Sequence, residues 1–156
     1  GYAITTYVGQ NLGAKKYRRI RNGVRSGVYM ALITSIVISG VMVITGRNIL
    51  SLFVSGEAGQ VKQVLDIAYK YLFIMAIFLW VLYLLYVYRS AIQGLGNTLI
   101  PLASGVVEFC MRVGVALLLP KLIGEDGIFY AEISAWSGAA ILLIVSYVVI
   151  IRKYKE

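Results

Sequence analysis

Glu108 and Arg112 are the residues of this sequence whose types and spacing are best suited to chemistry. They lie four residues apart, so a helix would place them on one face and within reach of each other. Both lie in an otherwise apolar stretch, where a single charge costs roughly 3 kcal/mol on membrane-insertion scales. Paired and turned toward other helices, the two charges offset each other. The pair is either part of a polar pathway or two-state lock, or a static structural ion pair.

Three further side chains are candidates for a substrate or ion pathway. Glu132 opens an apolar segment. It is either a titratable coupling site or an acid stabilised by the dipole at a helix start, and we favour the second interpretation. Trp80 and Tyr83 lie in another apolar segment and could stack against a lipophilic cation, although ordinary helix packing also accounts for each of them.

The sequence does not support an enzyme. It contains no histidine, which excludes a His-ligated metal site and a His-based catalytic triad within this chain. The single cysteine, Cys110, lies in an apolar run without a CxxC partner, and we interpret it as a small packing residue. No nucleophile–base set or metal cluster is apparent, so we expect neither a catalytic centre, nor a bound metal, nor an organic cofactor.

The composition indicates a protein that is embedded in lipid. Hydrophobic residues make up 60% of the chain and charged residues only 14%, whereas soluble domains have about 45–50% and about 25%. The mean hydropathy is +0.81. Lipid is the solvent that tolerates so much apolar surface. We therefore predict an all-α fold, a polytopic membrane helix bundle whose first partner is the lipid bilayer.

Four continuous apolar segments predict four membrane-spanning helices, at about 24–46, 68–91, 99–120 and 129–151. Crossing a hydrocarbon core of about 30 Å takes roughly 20 helical residues. Helix is favoured over strand because the apolar runs do not alternate and a lone span must satisfy its own backbone hydrogen bonds. We expect a basic loop at 9–23 before the first span, an interfacial lead-in to the second span at 61–68, and a tight glycine-rich turn at 92–98 before the third span.

The distribution of charge, net +8, predicts the orientation. If the four spans alternate, ten of the fifteen basic residues fall on one side: Lys15, Lys16, Arg18, Arg19, Arg21, Arg25, Arg89, Arg152, Lys153 and Lys155. The other side holds Arg47, Lys62, Lys70 and Lys121, mixed with Glu57, Asp66, Glu125 and Asp126. The positive-inside rule makes the basic side, and both ends of the chain, cytoplasmic. We interpret the basic run at 15–21 as a topology determinant near anionic headgroups, and we expect no nucleic-acid partner.

Four motifs together carry a resemblance to a known family. Residues 8–16 read Val-Gly-Gln-Asn-Leu-Gly-Ala-Lys-Lys and include Gly9, Gln10, Asn11 and Gly13. The turn at 88–98, followed by Pro101, includes Arg89, Gln93, Gly94, Gly96 and Asn97. Segments 108–112 and 131–136 complete the pattern. In order and spacing along the entire chain, these motifs resemble the MATE family (multidrug and toxic compound extrusion), from the end of its eighth helix through its twelfth.

The resemblance implies twelve helices in two six-helix lobes around a cavity that opens alternately to each side of the membrane. This chain, which begins at Gly1 with what resembles the end of a helix, would be the C-terminal part of the second lobe. Its partners would be the missing N-terminal lobe and a small cationic or amphipathic drug. The resemblance implies a plasma-membrane antiporter that exports such drugs in exchange for sodium ions or protons.

One departure from the family bears on the coupling cation. Some relatives carry an aspartate on helix ten that takes part in coupling, and the corresponding position falls near Leu82. No acidic residue lies between Lys70 and Arg89. We therefore expect the ion site to lie in the missing first lobe.

Two other functions remain open. The first is a flippase for lipid-linked saccharides from the same superfamily, which would need a wider and more cationic cavity than Arg112 alone suggests. The second is a non-transporting membrane assembly protein, which a chain truly ending at 156 residues would favour.

Overall fold

A computed structural model describes residues 2–53, 56, 58–124 and 129–154. These ranges hold six helices, which are α1 (Tyr2–Gly13), α2 (Tyr17–Ser51), α3 (Ala58–Ile77), α4 (Leu79–Gly94), α5 (Leu99–Ile123) and α6 (Phe129–Lys153). The described residues contain no strand. The predicted all-α fold is therefore confirmed.

Three of these helices are long and apolar enough to cross a membrane: α2, α5 and α6. Each contains one predicted span, at 24–46, 99–120 and 129–151. Helices α3 and α4 pass the same test only as a pair, and counting them as one broken span raises the number to four.

The span predicted as continuous over 68–91 is interrupted at Phe78, and that part of the prediction is wrong. Phe78 has φ −100° and ψ 9°, outside helical values, and the two helices bend by 47° at this point. Neither proline nor glycine occurs there; instead, the Ser39 hydroxyl on α2 donates to the carbonyl oxygen of Ala76 at 2.6 Å. The lead-in predicted at 61–68 is helical and belongs to α3.

The basic loop predicted over 9–23 is also corrected, because only residues 14–16 connect α1 to α2. The turn is closed by hydrogen bonds from Lys15 N to Leu12 O at 3.0 Å and from Lys16 N to Asn11 O at 2.8 Å, with Lys15 at φ 56°. Arginine and lysine are good helix formers, so the basic run continues the apolar helix α2 toward its start instead of forming a loop.

Helix α4 lies at the centre of the bundle and packs on α1, α2 and α6, while α5 packs chiefly on α6. The core between them contains fully buried side chains such as Val8, Ile20, Leu85, Ile92 and Leu143. At Gly94 a Cβ atom would lie 2.7 Å from the Thr5 carbonyl oxygen, so the absence of a side chain lets α1 approach α4. Small residues serve membrane helix pairs in this way.

The beginning of α2 lies against the end of α6. The Arg21 guanidinium donates to the carbonyl oxygens of Ile151, at 3.3 Å, and Tyr154. The rings of Tyr17 and Tyr154 are 5.1 Å apart. The basic segment and the basic tail therefore share one end of the bundle, which we call the basic end.

The opposite end of the bundle contains the exposed ion pair of Arg47 and Asp66, at 2.6 Å. Glu57, Glu125, Asp126 and Lys155, on which the predicted charge distribution also relied, lie outside the described residues.

A candidate site of four charged residues

Four charged side chains of alternating sign form a network between α4, α5 and α6. Arg89 Nη2 lies 3.3 Å from Glu108 Oε2, and Arg112 Nη2 lies 3.1 Å from Glu108 Oε1. Arg112 Nη2 also donates to Glu132 Oε2 at 3.0 Å, and Arg112 Nε lies 2.9 Å from Glu132 Oε1 without being aligned for a hydrogen bond. Each glutamate is thus held by at least one arginine from another helix.

The α4–α5 turn positions Arg89 beside Glu108. Gly96 adopts φ 84°, and Asn97 N donates to Ile92 O at 3.2 Å, as expected for a helix that ends in a left-handed glycine. The Asn97 side-chain oxygen then accepts a hydrogen bond from Ile100 N at 3.0 Å and caps α5. Arg89 and Ser104 are equally far from this turn along the chain, and antiparallel helices bring them together.

Ser104 is fully buried and lies one helical turn before Glu108 on α5, where it contacts Arg89. Its hydroxyl donates to the carbonyl oxygen of Pro101 at 2.7 Å. The Ser104 hydroxyl oxygen in turn accepts a hydrogen bond from Arg89 Nη2 at 3.2 Å. Pro101 lies in the first turn of α5, as predicted, where a missing backbone N–H costs least.

The contact between Arg112 and Glu132 depends on close packing of α5 on α6. Met111 packs directly over Gly138, where a Cβ atom would overlap the methionine sulfur. Because Gly138 has no side chain, α5 can approach α6 closely enough for the Arg112 guanidinium to reach Glu132 in the first turn of α6.

The four charges sum to zero, and their side chains are 19–41% exposed. An isolated charge in a membrane helix is costly, so each ion pair stabilises the network by offsetting the charge of its neighbour. A balanced network has no surplus negative charge for a cation. A cation or proton that binds Glu108 must therefore weaken the hold of an arginine on that carboxylate.

The network extends along the bundle. Arg89 lies in the last two turns of α4, toward the basic end, and Glu108 lies near the middle of α5. Glu132 lies in the first turn of α6, toward the opposite end. The alternating charges therefore follow one another along the middle part of α5, from Arg89 on α4 to Glu132 on α6.

The model of the MatE family matches residues 1–118, which include α1 to α4 and most of α5. The chain belongs to the MatE family. It is thus a multi-pass helical protein of a transporter family, as the sequence motifs suggested. Three members of the charge network lie inside the matched range, and Glu132 lies beyond it. Among curated proteins, none matches the chain.

In this MatE protein the structure brings together three of the five predicted pathway residues: Glu108, Arg112 and Glu132. Trp80 and Tyr83 lie on α4 just after the break, roughly 9–14 Å from Arg89 along the helix. Trp80 is 44% exposed and Tyr83 is half-buried. Their proposed role in binding a cation stays a prediction.

Sequence reasoning did not assign Arg89 and Ser104 to the MatE charge network. It treated Arg89 as part of a turn motif and as one of the basic residues that set the orientation, and it passed over Ser104. The short turn at 95–98 was the available signal, since it makes α4 and α5 antiparallel neighbours and pairs residues at equal distance from it.

The remaining motif residues build the helix ends of the MatE fold. Asn11 donates from its side chain to Tyr7 O at 2.8 Å near the end of α1. Gly9 lies near Gly94, whose carbonyl oxygen would be 3.6 Å from an added Cβ atom. The others lie at the ends of α1 and α4: Gln10, Gly13 and Gln93. Within the described part of the chain, no group of three His, Cys, Asp or Glu side chains could hold a metal ion.

Proposed function

We propose that this chain forms part of an antiporter that exports cationic or amphipathic drug-like compounds across the plasma membrane in exchange for sodium ions or protons. The single observation that carries the proposal is the Arg89–Glu108–Arg112–Glu132 network within apolar helices of a MatE protein. Charged residues within membrane-spanning helices are rare and mark transport pathways or the helices that move during transport. The second lobe of a twelve-helix transporter would contain the chain, and an N-terminal lobe would complete it.

The network can act as a lock between two packing arrangements. Helix α5 packs closely on α6 but contacts α4 much less, so the Arg89–Glu108 ion pair bridges the weaker interface. Loss of that pair would free α4 to move relative to the α5–α6 pair. The break at Phe78 supplies a bend about which α4 could turn. A ligand that prefers the open arrangement would then shift the population toward it.

Substrate and coupling ion would bind at different places in this scheme. Trp80 and Tyr83 offer aromatic faces to a lipophilic cation. Because α4 has no acidic residue near Leu82, the coupling ion would bind in the other lobe and act on this one through lobe rocking.

The deciding experiment measures ethidium efflux in everted vesicles that contain the complete transporter, with an imposed sodium or proton gradient. Gradient-dependent efflux that falls at least tenfold in the Glu108→Gln variant is the expected result. Asp66→Asn, which makes the same chemical change in an exposed ion pair, is the matched control and should transport normally. Absence of gradient-dependent efflux from the unmodified transporter would contradict the proposal.

A further inference from the structure

A groove of about 280 Å³ lies between α2, α4 and α6 at the basic end. Its lining combines two arginines, three tyrosines and aliphatic side chains, including Arg21, Arg25, Tyr29, Tyr88, Tyr147 and Val28. The rings of Tyr88 and Tyr147 meet edge to face at 5.3 Å and form part of its wall. The groove therefore offers guanidinium and phenol donors next to an apolar surface.

Arg25 is the arginine of this groove that is available to a ligand. Arg21 already holds the carbonyl oxygens at the end of α6. The Arg25 guanidinium contacts the Tyr29 hydroxyl at 3.5 Å and its ring at 5.8 Å, and it has no carboxylate partner among the residues that the structure describes. No Asp or Glu precedes Glu57 in the sequence. Neither α1 nor α2 therefore contributes an acidic residue next to Arg25.

The face of α2 that carries Arg25 continues away from the basic end as an apolar stripe. Arg25, Tyr29, Ile33 and Ile36 follow one another at spacings of three or four residues and share one face of the helix. Tyr29, Ile33 and Ile36 are 54%, 64% and 69% exposed. From Arg25 to Ile36 this face runs roughly 16 Å along the helix.

We propose that this groove and stripe bind one anionic phospholipid. The phosphate pairs with the Arg25 guanidinium, whose planar fork matches phosphate geometry, and the groove's tyrosines supply further donors. One acyl chain lies along Ile33 and Ile36, whose side chains need an apolar partner. A charged group, a phenol and two isoleucines thus follow one another in the order of headgroup, interface and acyl chain in a lipid. This site is separate from the charge network and does not depend on the proposed antiport.

The test is native mass spectrometry of the complete transporter in detergent, titrated with phosphatidylglycerol and, separately, with phosphatidylcholine. Phosphatidylglycerol should bind the unmodified protein at least fivefold more tightly, and Arg25→Ala should lose about fivefold in that affinity, the effect of one basic group near an anionic surface. Arg19→Ala removes the same charge from an exposed side chain that does not line the groove, and it should lose less than twofold.

Two further measurements keep the test decisive. Arg25→Lys preserves the charge and the helix but loses the planar fork, so its affinity should fall between those of the unmodified protein and Arg25→Ala. Inorganic phosphate at millimolar concentration should not displace phosphatidylglycerol, because it cannot occupy the apolar stripe. Equal losses in Arg19→Ala and Arg25→Ala, equal binding of both lipids, or displacement by inorganic phosphate would each overturn the proposal.

Discussion

Arg89 Nη2 lies 3.3 Å from Glu108 Oε2, and this ion pair joins α4 to α5 where the two helices otherwise make few contacts. On the other side of Glu108, Arg112 lies on the same helix and reaches across to Glu132 on α6. One carboxylate thus contacts two arginines, and Glu132 supplies the second negative charge. Glu108 is therefore one of the few residues of α5 that contact α4.

Removing this carboxylate should destabilise the bundle. Glu108→Gln leaves two guanidinium groups facing a neutral amide, so we expect the free energy of unfolding to fall by about 1.5–3 kcal/mol, the range for a hydrogen bond to a charged group. Denaturant unfolding in detergent, followed by circular dichroism, measures it. Asp66→Asn should change it by less than about 1 kcal/mol, because both members of that exposed pair are 51% exposed. Equal effects of the two substitutions would contradict the assigned role of Glu108.

Arg112 and Glu132 should be energetically coupled. In a double-mutant cycle with Arg112→Gln and Glu132→Gln, the double variant should lose less stability than the two single variants summed, by about 0.5–3 kcal/mol. The same unfolding assay supplies the four values. Lys62→Gln combined with Glu132→Gln is the control. Lys62 is exposed near the start of α3, so the stability changes of these two substitutions should simply add. Additive effects of the Arg112 and Glu132 substitutions would show that the contact contributes nothing.

The close approach of α1 to α4 should make Gly94 intolerant of a side chain. An alanine Cβ atom would lie 2.7 Å from both the Thr5 carbonyl oxygen and Val8 Cβ, so Gly94→Ala should cost about 1–3 kcal/mol. Gly105 on α5 has no heavy atom within 4 Å of the equivalent position, and Gly105→Ala should be neutral or stabilise by up to about 1 kcal/mol. Thermal unfolding midpoints of the two variants, measured side by side, check this difference, and similar midpoints would refute it.

The bend between α3 and α4 should depend on Ser39. Ser39→Ala removes the donor to Ala76 O, and we expect a stability loss of about 0.6 kcal/mol, typical of hydrogen bonds between membrane helices. The more specific measurement is the distribution of distances between spin labels at the exposed residues Lys62 and Gln93. This distribution should broaden or shift in the variant. Ser137→Ala removes a hydroxyl that bonds within its own helix, to Ile133 O, and should leave that distance unchanged. An unchanged distance in Ser39→Ala would rule out this hydroxyl as the cause of the bend.

The basic end should face the cytoplasm. In a Cys110→Ser background, Lys16→Cys should react with a membrane-impermeant maleimide in everted vesicles and not in intact cells, and Gln60→Cys should behave in the opposite way. Both positions are exposed, and they lie at opposite ends of the bundle. Labelling of Lys16→Cys in intact cells would reverse the orientation inferred from the positive-inside rule.

The helices could be predicted where their formation depends only on the order of residues along the chain. Apolar runs of spanning length identify α2, α5 and α6, although Glu108 and Arg112 interrupt the run of α5, and Gly96 with Pro101 marks the turn before α5. The break at Phe78 could not be predicted, because the interacting group near it, the Ser39 hydroxyl, belongs to another helix. The length of the basic loop was misjudged because polarity was taken for the absence of helix, although Lys and Arg are compatible with both.

The candidate site was predictable only in part, because some of its contacts join different helices. Glu108 and Arg112 are four residues apart on one helix, so their contact follows from helix geometry alone. Arg89 could have been added from its distance to the turn. The contact of Arg112 with Glu132 depends on how Met111 fits over Gly138, which is a property of packed surfaces and not of spacing along the chain.

The attachment of Arg21 to the end of α6 has a consequence for biogenesis. Both the Ile151 carbonyl oxygen that accepts from Arg21 and the carboxylate of Glu132 belong to α6, which follows α2 and α5 in the chain. Arg21 and Arg112, which belong to helices made earlier, therefore lack these partners until α6 has been inserted. Insertion of α6 supplies partners to both arginines in one step, so the docking of this helix couples the two contacts during assembly.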